Sequence, residues 1–265
     1  MTGTVSSALA ARGLDWIVPA WHGSARVQAL FTTRNGGASS GAAATLDLGP
    51  AHPPAGDQAG AIGENRRRLR ALLPSDPVWL SQVHGREIVE IDERGLPGAH
   101  ATPPRADAAL TRRPGIVLAV RTADCLPVLF ADRAGSVVAV AHAGWRGLAA
   151  GVLEATVDAM DVSSHQVVAW IGPAIGPQAF EVGADVHAAY CTSDPGAESH
   201  FVPLRECKWL ADLAGLARRR LAARAVTDIG GGEFCTFTDS GRFFSYRRDR
   251  NSGRMALVAW LTNET

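Results

Sequence analysis

Lysine is almost absent: Lys208 stands alone, arginine carries the rest of the positive charge, and 26 basic residues face 26 acidic ones. Without a basic excess, nucleic acid and an anionic membrane are not expected as obligate partners, because counterion-release binding needs a basic surface, although a local basic patch is compatible with the balance. Long apolar runs are absent too. None approaches the roughly 18–20 residues that span a bilayer. The N-terminal stretch MTGTVSSALAARGLDWIV has no charged segment leading into a long apolar one, so no signal peptide is read, and the cytoplasm is the expected location. Four cysteines, Cys125, Cys191, Cys207 and Cys235, do not make a disulfide framework; free thiols or a metal ligand are expected. Repeats and low-complexity linkers are also missing. At 265 residues and 46% hydrophobic, the chain is read as a single domain, 1–265.

The segments VQALFTT, REIVEID, GIVLAV, PVLFA, SVVAVAH and VVAWIG are short, β-branched and bounded by Gly, Pro or charge, which predicts strands. Several are apolar throughout, as in strands buried on both faces. Residues 64–73 predict a helix. Apolar spacing from Ala149 to Met160 predicts another over three turns, and residues 209–226 a third. Residues 49–60 read as a loop, and RFFSYRRD (242–249) as a strand entering a polar loop. Strands and helices in no strict alternation predict an α/β or α+β fold with a mixed sheet.

Three residues sit where a strand meets a turn: His84 in WLSQVHG, Cys125 in RTADCLPVLF and His142 in AVAHAGWRGL. Two imidazoles and a thiolate make a zinc shell with a fourth position open. Taken alone, each is more often an ordinary packed residue, and the spacings of 41 and 17 residues match no recognised metal signature. Without metal, Cys125 is a candidate nucleophile with His142 or His84 as base. Asp124 raises rather than lowers the neighbouring thiol pKa, which favours a metal as the agent that deprotonates Cys125. Gly144 and Gly147 are expected to let the chain bend closely around His142. Arg34, in FTTRNGG, and Arg146, at a helix start, are candidates for an anion, although an ordinary turn and a carboxylate pair explain them as well. Trp145 and Phe180 are candidates to stack on a base. Asp107, in RADAAL, reads as a turn residue or as a group that orients a ligand. His22, His52, His100, His165, His187 and His200 lie in polar contexts and are not assigned to the site.

FTTRNGG, SQVHG, TADCLPVLF, AHAGWRG, IGPAIG with FEVG, and FFSYRRD followed by GRMA occur in order from about Phe31 to Ala259. This set resembles the YfiH/YlmD family, first labelled polyphenol oxidases or laccase-domain proteins and later described as purine nucleoside phosphorylases. The resemblance implies a mixed β-sandwich with α/β elements, similar to bacterial toxin deamidases with a Cys–His pair. It implies one zinc on His84, Cys125 and His142. It also implies phosphorolysis of adenosine, inosine, guanosine and methylthioadenosine, with deamination of adenosine. Many relatives carry further cysteines where this chain has Gly176, Pro177, Gln178 and Ala179, which touches no metal ligand. A conventional multicopper centre needs about ten histidines, many as His-x-His (compare the copper ligation in). Eight histidines and no His-x-His exclude it, leaving copper only at the same three ligands. The expected partners are purine nucleosides and phosphate. A metal-free cysteine hydrolase or amidase is the second reading, a non-catalytic binding protein the third, and the oligomeric state stays open.

Overall fold

The computed structural model describes residues 2–50, 57–92 and 102–263. Helix α1 (Thr2–Ala11) precedes β1 (Val27–Phe31), α2 (Asp57–Arg70), β2 (Pro77–Trp79), β3 (Ile88–Glu90), β4 (Ala108–Thr111), β5 (Val117–Thr122), β6 (Leu126–Asp132) and β7 (Val138–Ala143). Then come α3 (Trp145–Ala150), α4 (Val152–Ala159), β8 (Val167–Ile171), β9 (Glu181–Gly183), α5 (Ala184–Cys191), β10 (Phe201–Arg205), β11 (Lys208–Ala211), α6 (Leu213–Ala223), β12 (Asp228–Gly231) and β13 (Met255–Leu261).

The strands form two mixed sheets and a small antiparallel one. The first sheet runs β1-β13-β5-β2 and is parallel only between β2 and β5. The second runs β12-β8-β6-β7-β4-β3, parallel at both edges and antiparallel inside. The third is β10-β11-β9.

Strand alternation sorts side chains into three cores. Leu118 and Val120 of β5 and Leu257 of β13 meet Leu129, Val140 and Trp170 of the six-stranded sheet. Their alternates Val117, Ala119 and Val258 turn outward onto Leu9 of α1 and Leu69 of α2. Beyond the six-stranded sheet, Val128, Phe130 and Ala139 pack on Leu153 and Val157 of α4 and Leu216 of α6. The stack is helix, sheet, sheet, helix. Strands buried on both faces are apolar at nearly every position, which is why β5, β6 and β7 read as continuous apolar runs. The predicted mixed α+β class is the observed one.

Several boundaries differ from the sequence expectation. Helix α2 starts at Asp57, seven residues before the predicted helix, so the loop expected over 49–60 is cut short, with 51–56 outside the described residues. The expected helix after Gly147 is two helices, because Gly151 takes a left-handed backbone (φ 94°) that ends the first. The helix expected over 209–226 begins at Leu213. The Asp212 carboxylate caps it by accepting from Gly215 N, while Lys208–Ala211 pairs with β9 and β10 as a strand. Residues 242–249 form turns rather than a strand, since Ser245 and Arg247 direct their donors to Asp124.

Candidate functional site

The antiparallel β4–β7–β6 pairing aligns the starts of β4 and β6 with the end of β7. His142, near the end of β7, lies opposite Pro127, two residues after Cys125. Asp107, just before β4, accepts the His142 backbone N–H through its carbonyl at 2.7 Å. His84 arrives on the loop between β2 and β3. Gln82 anchors that loop by accepting from Arg121 N (2.9 Å) and donating to the Arg121 carbonyl (2.8 Å).

The structure brings all three predicted residues together. The ligand-capable atoms of His84, Cys125 and His142 lie within 4.8 Å of one another, with Cys125 Sγ 3.8 Å from His84 Nε2. A tetrahedral zinc with ordinary bond lengths has an N–S edge of about 3.6 Å, so the Cys125–His84 separation is close to that edge and the donor set fits such an ion in chemistry. The two imidazoles meet edge to face with centroids 4.8 Å apart.

Asp107 organises the centre. Its buried carboxylate accepts from Val83 N (3.1 Å), His84 N (2.9 Å), Gly85 N (2.7 Å) and His142 Nδ1 (2.9 Å). Three successive amides on one carboxylate hold His84 in its left-handed conformation (φ 60°). The bond to Asp107 makes Nδ1 a donor and leaves Nε2 to face Cys125, as a metal ligand when the ring is neutral or as the proton partner of the thiolate when it is charged. Burial pushes the Asp107 pKa up, but His142 and the amides outweigh it and hold the carboxyl below its ordinary range.

The groups that shift the Cys125 thiol are its two histidine neighbours. Burial raises its pKa, yet the His142 and His84 imidazoles against it bring it down, and Cys125 in turn raises His142. The two imidazoles thus draw Cys125 toward the thiolate, the form that metal ligation and nucleophilic attack both need. Asp124 turns away: its carboxylate accepts from Thr236 Oγ1 (2.6 Å), Ser245 Oγ (3.0 Å) and Arg247 N (2.7 Å), clamping the Cys125 turn to the C-terminal loop.

The glycines of AHAGWRG answer to close approach, as expected. A Cβ on Gly144 would stand 2.8 Å from His84 Cδ2 and 3.1 Å from Cys125 Sγ, and one on Gly147 would stand 2.7 Å from the Gly85 carbonyl.

The triad borders a cavity of about 690 Å³ at the shared end of both large sheets, within the range of small-molecule sites. Ser81, Gln82, Arg121, Tyr246 and Arg254 also line it. The other four expected site residues do not. Arg34 donates to the Ala44 and Ser240 carbonyls and lies over Phe244. Arg146 is exposed, 4.2 Å over the Trp145 ring. Trp145 packs on the helix-side core and its carbonyl accepts from Tyr190 Oη, while Phe180 is buried in that core. Sequence reading missed Arg121, Tyr246 and Arg254; the only signal was a polar residue interrupting or bordering an otherwise apolar strand. His22, His187 and His200 pair with Asp228, Glu198 and Asp212, and His52 and His100 lie outside the described residues. All four cysteines are free, and no helix among the described residues is long and apolar enough to cross a membrane.

A two-sheet α+β sandwich with a His–Cys–His centre at one end of its strands defines the class. The family described as "multi-copper polyphenol oxidoreductase laccase" matches residues 28–262, and the chain belongs to it, within the YfiH/YlmD group. It is 49% identical over 247 residues to the purine nucleoside phosphorylase PA4543 of Pseudomonas aeruginosa, covering 93% of this chain and 98% of that one. It is 50% identical to the purine nucleoside phosphorylase YfiH of Escherichia coli, covering 92% and 98%. Among solved structures, Neisseria meningitidis protein NMB0706 superposes with a TM-score of 0.87 at 44% identity, covering 94% of this chain and all of that one. YlmD from Geobacillus stearothermophilus superposes with a TM-score of 0.80 at 30% identity, covering 90% and 93%.

Proposed function

We propose that the protein is a zinc-dependent purine nucleoside phosphorylase acting on adenosine, inosine, guanosine and methylthioadenosine, with adenosine deaminase side activity. The observation that carries this reading is the convergence of His84, Cys125 and His142, backed by Asp107, on a cavity that also has an aromatic and a cationic wall. The names of the relatives support the substrate class. One thiolate and two imidazoles suit zinc; copper at the same ligands is the alternative that the older family name suggests. The ion, when bound, supplies Lewis acidity. In phosphorolysis a phosphate oxygen bonds to C1′ as the C1′–N9 bond breaks, and the departing purine takes a proton, giving free base and ribose 1-phosphate. The contact roles expected of Arg34, Arg146, Trp145 and Phe180 pass in this reading to Arg121, Arg254 and Tyr246. Tyr246 is exposed and borders the cavity, with the Arg250 and Arg254 guanidiniums 5.8 and 5.6 Å from its ring centroid, and is the aromatic side chain assigned to contact the purine.

Metal analysis of the purified protein, with adenosine incubated with and without phosphate, tests the reading. Near-stoichiometric zinc, and adenine with ribose 1-phosphate only when phosphate is present, are expected. Neither adenine nor inosine at high enzyme loading would refute it.

A second reading has its own observation: Cys125, His142 and Asp107 are linked in the order of a nucleophile, base and orienting acid. A metal-free cysteine hydrolase would keep its activity in chelator and lose it in Cys125→Ser.

A further inference from the structure

We propose that Arg121 and Arg254 form an oxyanion subsite in the cavity, apart from the His–Cys–His centre, and that its ligand is inorganic phosphate. The choice of phosphate rests on the phosphorylase reading; the subsite itself rests on charge and geometry.

Three guanidiniums gather at this wall, and every hydrogen bond they make among the described residues goes to a neutral carbonyl. Arg121, buried at the end of β5, donates from Nη1 to Gly49 O (2.9 Å) and from Nη2 to Leu80 O (2.7 Å), and its Nε has no partner. Arg254, half-buried before β13, donates from Nη1 to Ser252 O (2.6 Å) and Gly253 O (3.1 Å). Behind them Arg66 donates to Leu48 O and Pro50 O. The field of Arg66 and Arg254 acts on Arg121, and among the described residues Asp47 is the acid set against it. Asp47 itself faces the Gly49 and Arg254 backbone amides through Oδ1.

Burial and then the two neighbouring arginines push Arg121 down to about 9, so it stays charged at neutral pH. Three guanidiniums sharing one carboxylate leave an excess of positive charge that burial makes costly, and an anion in the cavity offsets that cost. The carbonyl bonds fix the Arg121 fork before any ligand arrives, and a fixed donor set is what favours a compact, multiply charged oxyanion. Arg121 and Arg254 line the same cavity as His84, Cys125 and His142, which sets phosphate and the metal centre on one substrate.

The test uses the full-length, metal-loaded protein. Calorimetry with inorganic phosphate and no nucleoside reads the subsite directly. Phosphorolysis at varied phosphate and varied nucleoside reads its role. Arg254→Gln is expected to weaken phosphate binding and raise the phosphate KM at least tenfold, with the nucleoside KM within twofold. Arg121→Lys, which keeps the charge and loses the fork, should fall between. Arg205→Gln, a remote charge loss on β10, should change neither. Because Arg121 is buried and its variant can misfold, Arg254→Gln decides the matter. Wild-type phosphate affinity in a folded Arg254→Gln overturns the proposal, as does the absence of phosphate binding to the wild type at 10 mM (about the weakest affinity worth assigning a site). If phosphate binds and Arg254→Gln abolishes it while no nucleoside is cleaved, the subsite stands and the phosphorylase reading fails.

Discussion

Asp107→Asn isolates what one buried carboxylate does for the centre. Oδ1 serves His84 N and His142 Nδ1, and Oδ2 serves Val83 N and Gly85 N. An amide keeps one oxygen and turns the other into a donor, so one of these pairs must face an NH₂ group. If the NH₂ faces Val83 and Gly85, two buried charge-assisted bonds are lost, at about 1.5–3 kcal/mol each. If it faces His142, Nδ1 becomes the acceptor and the proton moves to Nε2, the nitrogen that a metal needs. The first arrangement costs the folded state about 3–6 kcal/mol; the second orphans only His84 N, at about 1.5–3 kcal/mol, and also cuts metal affinity by roughly 10–100-fold. Urea unfolding of the metal-free protein measures the first quantity and competition with a zinc chelator the second. The acid limb gives a third readout. A carboxylate with a depressed folded pKa contributes stability above its unfolded value of about 3.9 that is lost as pH falls through the folded value. The variant should therefore unfold with a shallower dependence below about pH 4. A loss under about 1 kcal/mol, together with unchanged zinc affinity, would refute the role given to Asp107.

Metal-free protein should react with iodoacetamide at Cys125 with a midpoint below the ordinary thiol value of about 8.5, and His142→Ala should move that midpoint up, because it removes the cation that stabilises the thiolate. An unchanged midpoint counts against the pair. Gly144→Ala sets a methyl group against His84 and Cys125; roughly tenfold weaker zinc binding is expected by calorimetry, with the melting temperature little changed because His84 sits on an exposed loop. Asp124→Ala leaves Thr236, Ser245 and Arg247 donors without their acceptor, so chemical denaturation should show a loss of at least about 3 kcal/mol. Wild-type stability there would mean that the clamp between the Cys125 turn and the C-terminal loop is not needed.

The errors in reading the sequence have local causes. Leu210 and Leu213 fall at a helical spacing, but an Asp capping a Gly three residues on starts α6 later and leaves Trp209 in a strand. Phe243 and Phe244 look like strand residues because they are buried, yet they fill the inter-sheet core from turns. Arg34 and Arg146 look like ligand-binding arginines because they adjoin glycines, and one is bound to carbonyls while the other lies on an indole.

What the sequence determined by itself is whatever depends on near neighbours. The apolar runs of β5 to β7 require burial on both faces, the glycines around Trp145 require close approach, and the ordered motifs carry the family and its His–Cys–His set. The tertiary structure alone decided what depends on strands far apart in sequence meeting at one end of two sheets. Asp107 reaches His142 across 35 residues, and Asp124 reaches Ser245 across 121. Arg121 meets Arg254 only because β5 pairs with β13. No local pattern encodes such meetings, since they follow from pairing register and layer order rather than from the residues on either side.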